Sequence, residues 1–364
     1  MNIPGVSIVI ISHNEEKNIA DCLESVSSLD YPKEKLEVVV VDSSTDRTKD
    51  IVGLFANIRL IKSGTKGFAV KRNLGYISAS HELIAFLDAD CIAPRDWLLK
   101  MVPRVMNPGV AAVCGNAYPP PNAPFLGKLF ACIGKPGGGA IGFDSEVKFL
   151  DQGINYIAVG GSIFKKRILE EIGGFNETLE FGNEDSEISE RIRKAGYILE
   201  YVREAFVYHK TRNTLGQFTR WAFRRGLSHF YASNPSLGKV LFDPFSPIWL
   251  IIFALVVILI PFEYLILVIA VIVTLGAVIL YELLLGRFRH SFPNGRKKLG
   301  LLIGRRRKIG VNMGTIILLI IPLFYLDRLI IGLAQVYCKI LSYRRAITGI
   351  MVVFMRRIFD YPGN

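Results

Sequence analysis

The 364 residues are enough for two or three domains, and with 51% hydrophobic residues and a mean hydropathy of +0.34 the chain is too apolar for a purely soluble enzyme. The formal net charge is +12, yet residues 1–245 carry 29 basic and 28 acidic side chains, whereas residues 286–308 carry nine Lys or Arg and no acid. A charge confined to one short loop argues against a nucleic-acid partner and for a loop beside a membrane.

The first predicted elements alternate between strands and helices. A buried strand at residues 6–11 ends in a polar loop with Asn14 and Glu15, and a second strand at residues 36–41 ends at Asp42. Apolar residues at helical spacing follow each loop. Strand, polar loop and helix in succession are typical of a parallel α/β sheet, whose ligands bind at the carboxyl ends of the strands. We therefore expect these loops to meet at one crevice.

A glycine-punctuated loop at residues 63–73 then runs into a helix that carries Lys71 and Arg72. Backbone N–H groups at a helix start, with a nearby cation such as Lys66, are suited to a diphosphate. A helix cap followed by surface charges explains Lys66 and Lys71, taken singly, equally well.

The next apolar run, at residues 83–87, stops at Asp88 and Asp90, two carboxylates one residue apart. Carboxylate oxygens suit Mg²⁺ or Mn²⁺, which keep part of their coordination for water and substrate phosphates. The predicted guest is therefore a metal that bridges a diphosphate. Because any strand can end in acidic turn residues, this pair alone is a weak signal.

Residues 118–150 are rich in Pro and Gly and are predicted to be an irregular insertion, which lines a binding channel, lies on the membrane or forms a surface loop. A strand is predicted again at residues 159–164. Glu184 and Asp185 then open a helix at residues 186–194. Acids in a first turn also stabilise the helix dipole, so their position has an ordinary structural explanation as well.

Beyond these elements, His209 is either a metal ligand or the last residue of a strand. The helix that follows is amphipathic, and one interpretation places Phe218, Trp221 and Phe223 in lipid with arginines at the headgroups.

The last third of the chain is predicted to be a membrane region. The five cysteines lack zinc or disulfide spacing, and no signal-peptide pattern precedes the first strand, so we expect the first domain in the cytoplasm of a multi-pass cell-membrane protein. The predicted segments are 1–212 (cytoplasmic domain), 213–244 (amphipathic interface helices), 245–285 (transmembrane hairpin), 286–308 (basic cytoplasmic loop), 309–342 (third transmembrane segment, one or two helices) and 343–364 (interfacial helix).

Four segments between residues 7 and 90 resemble glycosyltransferase family 2, in the order of that family: S-I-V-I-I-S-H-N-E-E-K-N-I, V-V-V-V-D-S-S-T-D-R-T, G-F-A-V-K-R-N-L-G and F-L-D-A-D. The resemblance implies an α/β domain of the GT-A type, Rossmann-like with a mostly parallel sheet, followed here by an α-helical transmembrane region. It also implies an inverting, metal-dependent enzyme that uses a nucleotide-diphosphate sugar with Mn²⁺ or Mg²⁺.

The same resemblance implies roles for individual residues. Asp90 and Asp88 meet the metal, with His209 as a further candidate ligand, and Asp185 with Glu184 supplies the catalytic base. Members often carry a second acid after Asp42, where this chain has Ser43, which leaves a UDP-sugar or a GDP-sugar open. The residues assigned to the donor nucleotide are Asn14, Glu15, Asp42, Lys66 and Asp88.

Gln217, Arg220 and Trp221 match the Gln-x-x-Arg-Trp motif of processive polysaccharide synthases, in which Trp stacks on the acceptor sugar and Arg meets the diphosphate. The expected function is hexosyl transfer to a hydroxyl of a lipid-linked glycan held at the membrane. The alternatives are a polyprenyl-phosphate sugar synthase, a processive synthase, and a membrane scaffold that keeps the fold without turnover.

Overall fold

The structure is a computed structural model, and it describes residues 3–132, 156–179, 182–233, 326 and 329–337. The strands are β1 (Val6–Ser12), β2 (Leu36–Asp42), β3 (Ile58–Lys62), β4 (Leu83–Asp88), β5 (Cys91–Ile92), β6 (Val110–Tyr118), β7 (Gly161–Lys165) and β8 (Ile198–His209). The helices are α1 (Ile19–Ser27), α2 (Thr48–Val52), α3 (Phe68–Ser78), α4 (Trp97–Val105), α5 (Phe125–Cys132), α6 (Lys166–Glu171), α7 (Glu184–Lys194) and α8 (Leu215–Ser233).

Helices cover both faces of one sheet, which confirms the predicted α/β architecture. Alternate residues of a strand point to opposite faces, and β1 follows this rule: Ile8 and Ile10 belong to one core cluster, whereas Val9 and Ile11 belong to another. Every residue of β1 is buried, as expected for a central strand with helices on both sides.

The strands lie in the order β3-β2-β1-β4-β7-β6-β8-β5, and the first four are parallel. In this half of the sheet, Ser12 lies opposite Asp42 and Ile11 lies opposite Asp88. The register therefore places the ends of β1, β2 and β4 at one edge, where the sequence predicted the loops to meet.

The sheet is mostly parallel, as predicted, since four of the seven pairings between the described strands are parallel, and the antiparallel pairings all lie in its other half. β7 is antiparallel to both β4 and β6, β8 is parallel to β6, and the two-residue β5 is antiparallel to β8, so the sheet is mixed. A short strand that is buried throughout, such as β7, shows the same apolar run in either direction. Its sequence therefore gave no sign of its orientation.

The region predicted to be irregular, residues 118–150, is partly regular. β6 runs through Tyr118, and after the prolines at 119–121 the chain forms α5. Residues 133–150 lie outside the described part of the chain.

Helix α8 packs against protein at Phe218, whose ring is 1% exposed and stacks on Phe130 with centroids 4.3 Å apart. Ile330, from the helical residues 329–337, completes this cluster. The interpretation that places Phe218 in lipid is therefore wrong. Among the described residues, no helix combines the length and apolarity of a membrane span. The predicted segments 245–285, 286–308 and 343–364 lie outside the described residues, as does most of 309–342.

Candidate functional site

Asp42, at the end of β2, is held in a network of short hydrogen bonds and is only 5% exposed. Its Oδ1 atom accepts hydrogen bonds from Ser12 Oγ at 2.6 Å and from Ser44 Oγ at 2.5 Å. The buried Lys71 Nζ donates hydrogen bonds to Ser12 O at 2.8 Å and to Ser43 Oγ at 3.3 Å. Burial lowers the pKa of Lys71 to about 8. Ser43, in place of a second acid, thus helps to bind this lysine.

The loop after β1 presents Asn14 and Glu15 at the same edge. Asn14 has a left-handed backbone, with φ at 57°, and its Oδ1 accepts a hydrogen bond from Thr45 N at 2.8 Å. Glu15 Oε2 accepts one from Asn18 Nδ2 at 2.6 Å. Burial, and after it the negative charge of Asp90, raises the pKa of Glu15 to about 7. Glu15 therefore lies within electrostatic reach of the D-x-D pair.

Arg72 connects the end of β4 with the start of α7. Its guanidinium is 4% exposed, and its Nη2 atom lies 3.2 Å from Asp88 Oδ1. Nη1 pairs with Glu184 Oε1 and lies 3.8 Å from Asp185 Oδ1. One buried cation thus joins an acid predicted to hold the donor to both acids predicted to supply the base.

Replacing Arg72 with Met is expected to lower the free energy of unfolding by about 3–5 kcal/mol, because the buried Glu184 loses its partner. Chemical denaturation of the purified full chain measures this change. Arg95→Met is the matched control, since Arg95 pairs with Asp30 at 2.6 Å but is 74% exposed, and an ion pair in solvent contributes little to stability. Equal losses in the two variants would contradict the structural role of Arg72.

Asp185 has the environment of a carboxyl group that keeps its proton near neutral pH. Its side chain is 31% exposed as a whole, but the Oδ1 atom is buried and has no hydrogen-bond partner among the described residues. Burial and the adjacent charge of Glu184 raise its pKa from 3.8 to about 8, although Arg72 opposes the shift. A base with a pKa near the working pH suits proton transfer in catalysis.

The pH dependence of sugar transfer is expected to follow the ionisation of the Asp185 carboxyl group. If the ionised Asp185 is the base, kcat/KM rises about tenfold per pH unit below about pH 8 and then levels off. Glu184→Gln removes a negative charge that raises this pKa, so the rising limb is expected to move to lower pH. Glu190→Gln, on the exposed side of the same helix, is the control and leaves the limb in place. If the rising limb of the pH profile does not move in Glu184→Gln, the charge of Glu184 does not raise the pKa of the catalytic base.

Gly160 packs directly against Asp88. A Cβ atom at this position would overlap the Asp88 carboxylate, and the backbone φ of Gly160 is not in the left-handed region. Gly160 is therefore required because it has no side chain, and not because of its backbone freedom.

Gly160→Ala is expected to displace Asp88 and to reduce transfer by about 100-fold, the typical cost of misplacing a group by about 1 Å. Steady-state kinetics measures the loss. Gly53→Ala is the control, because Gly53 is helical with φ at −63° and a Cβ there meets nothing closer than 3.4 Å. Full activity in Gly160→Ala would show that the position of Asp88 matters little.

Asp90 and His209 lie where a divalent cation could bind. A carboxylate oxygen of Asp90, the Cys91 sulfur and a ring nitrogen of His209 all lie within 4.8 Å of one another. His209 Nδ1 is 3.6 Å from Asp90 Oδ2, and Arg212 Nη1 is 3.9 Å from the same oxygen. Carboxylate and imidazole are both ligands of Mn²⁺, so these residues fit the metal that the sequence predicts.

The remaining predicted residues have other surroundings. Lys66 is exposed, and its charge contributes to lowering the pKa of His13, so it lies near the loop after β1. Gln217 Oε1 accepts a hydrogen bond from Asn213 N at 2.8 Å, and Arg220 Nε donates to Gly216 O at 3.1 Å. The Trp221 ring lies 5.5 Å from the guanidinium carbon of Arg225. These contacts of Gln217, Arg220 and Trp221 lie within α8 and the turn before it.

The interpretation of Lys71 as a surface charge is wrong, and Arg72 is buried with it. Both side chains lie inside the protein, at 1% and 4% exposure. The sequence did contain a signal for the burial of Arg72. Arg72 lies at helical spacing with Ala69, Asn73 and Tyr76, and these residues form one buried face of α3. The role of Gly160 had no local signal, since its neighbour Asp88 is 72 residues away in the sequence.

Comparisons with known proteins agree on the family of this chain. Residues 7–173 match the family model described as Glycosyl transferase family 2. Glycosyltransferase AglE of Haloferax volcanii is 32% identical over 235 residues, which cover 62% of this chain and 72% of that protein. The poly-beta-1,6-N-acetyl-D-glucosamine synthase of Staphylococcus epidermidis is 28% identical over 233 residues, and this chain spans only about half of its length, 54%.

A solved structure supports the same fold. The mannosyltransferase PcManGT from Pyrobaculum calidifontis, in complex with GDP-Man and Mn²⁺, superposes with a TM-score of 0.54 at 23% identity, covering 85% of this chain and 87% of that one. At this level of identity the likeness concerns the architecture of the domain.

Proposed function

We propose, since this chain belongs to glycosyltransferase family 2, that it transfers a sugar from a nucleotide-diphosphate donor to a hydroxyl of a lipid-linked glycan at the cytoplasmic face of the cell membrane. One observation carries the proposal: Arg72 contacts Asp88 on one side and the Glu184–Asp185 pair on the other. This contact supports a single cleft that would hold both the donor and the base.

The donor would lie along the edge formed by the ends of β1, β2 and β4. In this proposal Asn14, Asp42 and the exposed Lys66 would contact the nucleotide, and Asp88, whose strand pairs with β1 as that of Asp42 does, would lie next to it. PcManGT was solved with GDP-Man, which is a nucleotide-diphosphate sugar of the class proposed here. The choice between a UDP-sugar and a GDP-sugar depends on the pocket around Asp42 and Ser43.

Asp185 would act as the general base. It takes the proton of the acceptor hydroxyl while that oxygen bonds to the anomeric carbon, and the bond from this carbon to the diphosphate breaks, so the diphosphate leaves with the electron pair and the configuration inverts. An acceptor phosphate is ionised at neutral pH and needs no base. A carboxyl group poised at a pKa of about 8 therefore favours a hydroxyl acceptor over a polyprenyl phosphate.

Asp90 and His209, with Asp88 beside them, would hold the divalent cation. When bound, Mn²⁺ or Mg²⁺ offsets the charge that develops on the departing diphosphate. In this proposal Arg220 also faces the diphosphate, and Gln217 and Trp221 contribute to the acceptor site. The apolar segments 245–285 and 309–342, with the basic loop 286–308 between them, support a location at the membrane.

The test is a screen of nucleotide sugars for hydrolysis by the purified full chain, with and without Mn²⁺ or Mg²⁺, followed by transfer to membrane lipid extracts. We expect one donor to be hydrolysed only with metal, and one sugar to be added through a linkage that resists mild acid. An acid-labile product would instead identify a polyprenyl-phosphate sugar synthase, and a long polymer a processive synthase. Failure to hydrolyse any donor would overturn the enzymatic proposal in favour of a scaffold.

A further inference from the structure

A cysteine thiol lies beside the two residues proposed to hold the metal. Cys91 is the first residue of β5, and the strand pairing places it directly opposite His209 of β8. Lys210 N donates a hydrogen bond to Asp90 O at 2.9 Å, so Cys91 and His209 form the adjacent pair without hydrogen bonds between them. In antiparallel strands this type of pair brings the two side chains closest together, on the same face of the sheet.

The sulfur already lies in a ligand-like position. Its separation from the Asp90 carboxylate and from the His209 ring nitrogen is at most 4.8 Å, and small side-chain movements around a central ion would shorten it. The thiol is fully buried, and it donates a weak hydrogen bond to Gly160 O at 3.6 Å.

We propose that Cys91 is a third protein ligand of the cation, and that the site takes a borderline or soft divalent ion such as Co²⁺, Zn²⁺ or Cd²⁺ in preference to Mg²⁺. The inference rests on the metal site of the proposed function. The metal–sulfur bond forms as the thiol proton leaves to solvent, so one proton is released for each ion bound. The thiolate and the Asp90 carboxylate together balance the two charges of the ion.

The ligand set gives this preference a chemical reason. Thiolate is a soft ligand that selects zinc and related ions, and imidazole suits Zn²⁺, Cu²⁺ and Ni²⁺. Mg²⁺ instead requires a nearly ideal octahedron of oxygen ligands. A site with one sulfur, one nitrogen and one carboxylate therefore discriminates against Mg²⁺ more strongly than a site built only from Asp90 and His209.

The experiment is a titration of the purified full chain with Co²⁺ or Cd²⁺, followed through the sulfur-to-metal charge-transfer absorption. A background in which Cys114, Cys132 and Cys338 are replaced by Ser leaves only Cys22 and Cys91. We expect one equivalent of ion to produce the band in this background. Because losing an outer-shell partner typically weakens metal binding about 10- to 100-fold, we expect Cys91→Ser to abolish the band and to weaken Cd²⁺ binding at least this much, with Mg²⁺ binding unchanged.

The controls separate Cys91 from its neighbours. Cys91→Ala repeats the test with a smaller apolar side chain, and the thermal unfolding of each variant shows that it is folded. Cys22→Ala, which removes the other buried thiol, is expected to keep the band. A band that survives in folded Cys91→Ser and Cys91→Ala, disappears in Cys22→Ala, or never forms would overturn the proposal.

The outcome is independent of turnover, because the titration uses no sugar donor. A thiolate band in a protein that hydrolyses no donor would support the metal site and contradict the transferase. Metal-dependent hydrolysis without the band would leave the transferase in place and exclude Cys91 as a ligand.

Discussion

Replacing Asp185 with Asn is expected to reduce sugar transfer by about 10²- to 10⁴-fold, the usual contribution of a general base. Asn has nearly the shape of the protonated carboxyl group, so the contacts at the start of α7 are expected to persist. Donor binding, measured by calorimetry with the nucleotide sugar and Mn²⁺, is expected to change little. The loss should appear in kcat, because the side chain acts on the acceptor proton.

The stability of this variant provides a second readout. Native Asp185 keeps its proton up to about pH 8, whereas the unfolded chain releases it near its ordinary pKa of 3.8. The wild-type protein therefore loses unfolding free energy from this group as the pH rises through that window, and Asp185→Asn does not. Above about pH 8 we expect the variant to be at least as stable as the wild type.

Asp50→Asn serves as the control for Asp185, because Asp50 also lies in the first turn of a helix but is exposed on α2. It is expected to keep full activity. Near-normal turnover of Asp185→Asn would remove this residue from the proposed mechanism.

Replacing Asp90 with Ala is expected to abolish metal-dependent transfer and donor hydrolysis together. The substitution removes the carboxylate of the group proposed to hold the cation, and with it much of the stabilisation of the leaving diphosphate. The fold is expected to persist, because Asp90 is partly exposed and the like charge of Glu15 nearby offsets the contact with Arg212. Excess Mn²⁺ is not expected to restore activity.

The pKa of Glu15 gives a structural check on the same variant. Asp90 is the main neighbouring charge that raises it, so titration of Glu15 followed by NMR is expected to shift to lower pH in Asp90→Ala. Asp96→Ala is the matched control, since the Asp96 side chain is 48% exposed and immediately precedes α4. Retained metal-dependent hydrolysis in Asp90→Ala would place the cation elsewhere.

The parallel half of the sheet could be predicted because its signals are local. Strands β1, β2 and β4 are continuous apolar runs, each followed by a polar loop, and such patterns fix both the strand and its direction. The meeting of Asn14, Asp42 and Asp88 at one edge followed from the general rule for parallel sheets. The register of β1 with β2 and β4 agrees with that expectation.

The arrangement of the other half of the sheet, β5 to β8, could not be predicted because it depends on pairings between segments that are distant in the sequence. β7 enters antiparallel between β4 and β6, and β5 has only two residues, so neither orientation nor pairing is encoded in a local period. Helix α5 follows three prolines, and its partner Phe218 comes from a helix that begins 83 residues after Cys132 ends α5. Burial of Phe218 against Phe130 could therefore not be distinguished from burial in lipid.

The candidate site shows the same division. The acids were identified individually from their positions after strands or at a helix start. The sequence did not predict that Arg72 connects these acids, because the pairing of Arg72 with Glu184 spans 112 residues of sequence. Gly160 likewise acquires its importance only from the Asp88 carboxylate that packs against it.

The central claim is that one cleft holds the donor, its cation and the base. The most direct measurement is an experimental structure of the full chain with Mn²⁺ and the nucleotide sugar selected by the hydrolysis screen. The account predicts the ion between Asp90 and His209, the diphosphate beside it, and the anomeric carbon facing the Asp185 carboxylate. A donor bound away from the edge formed by β1, β2 and β4, or an ion that contacts neither Asp90 nor His209, would contradict it.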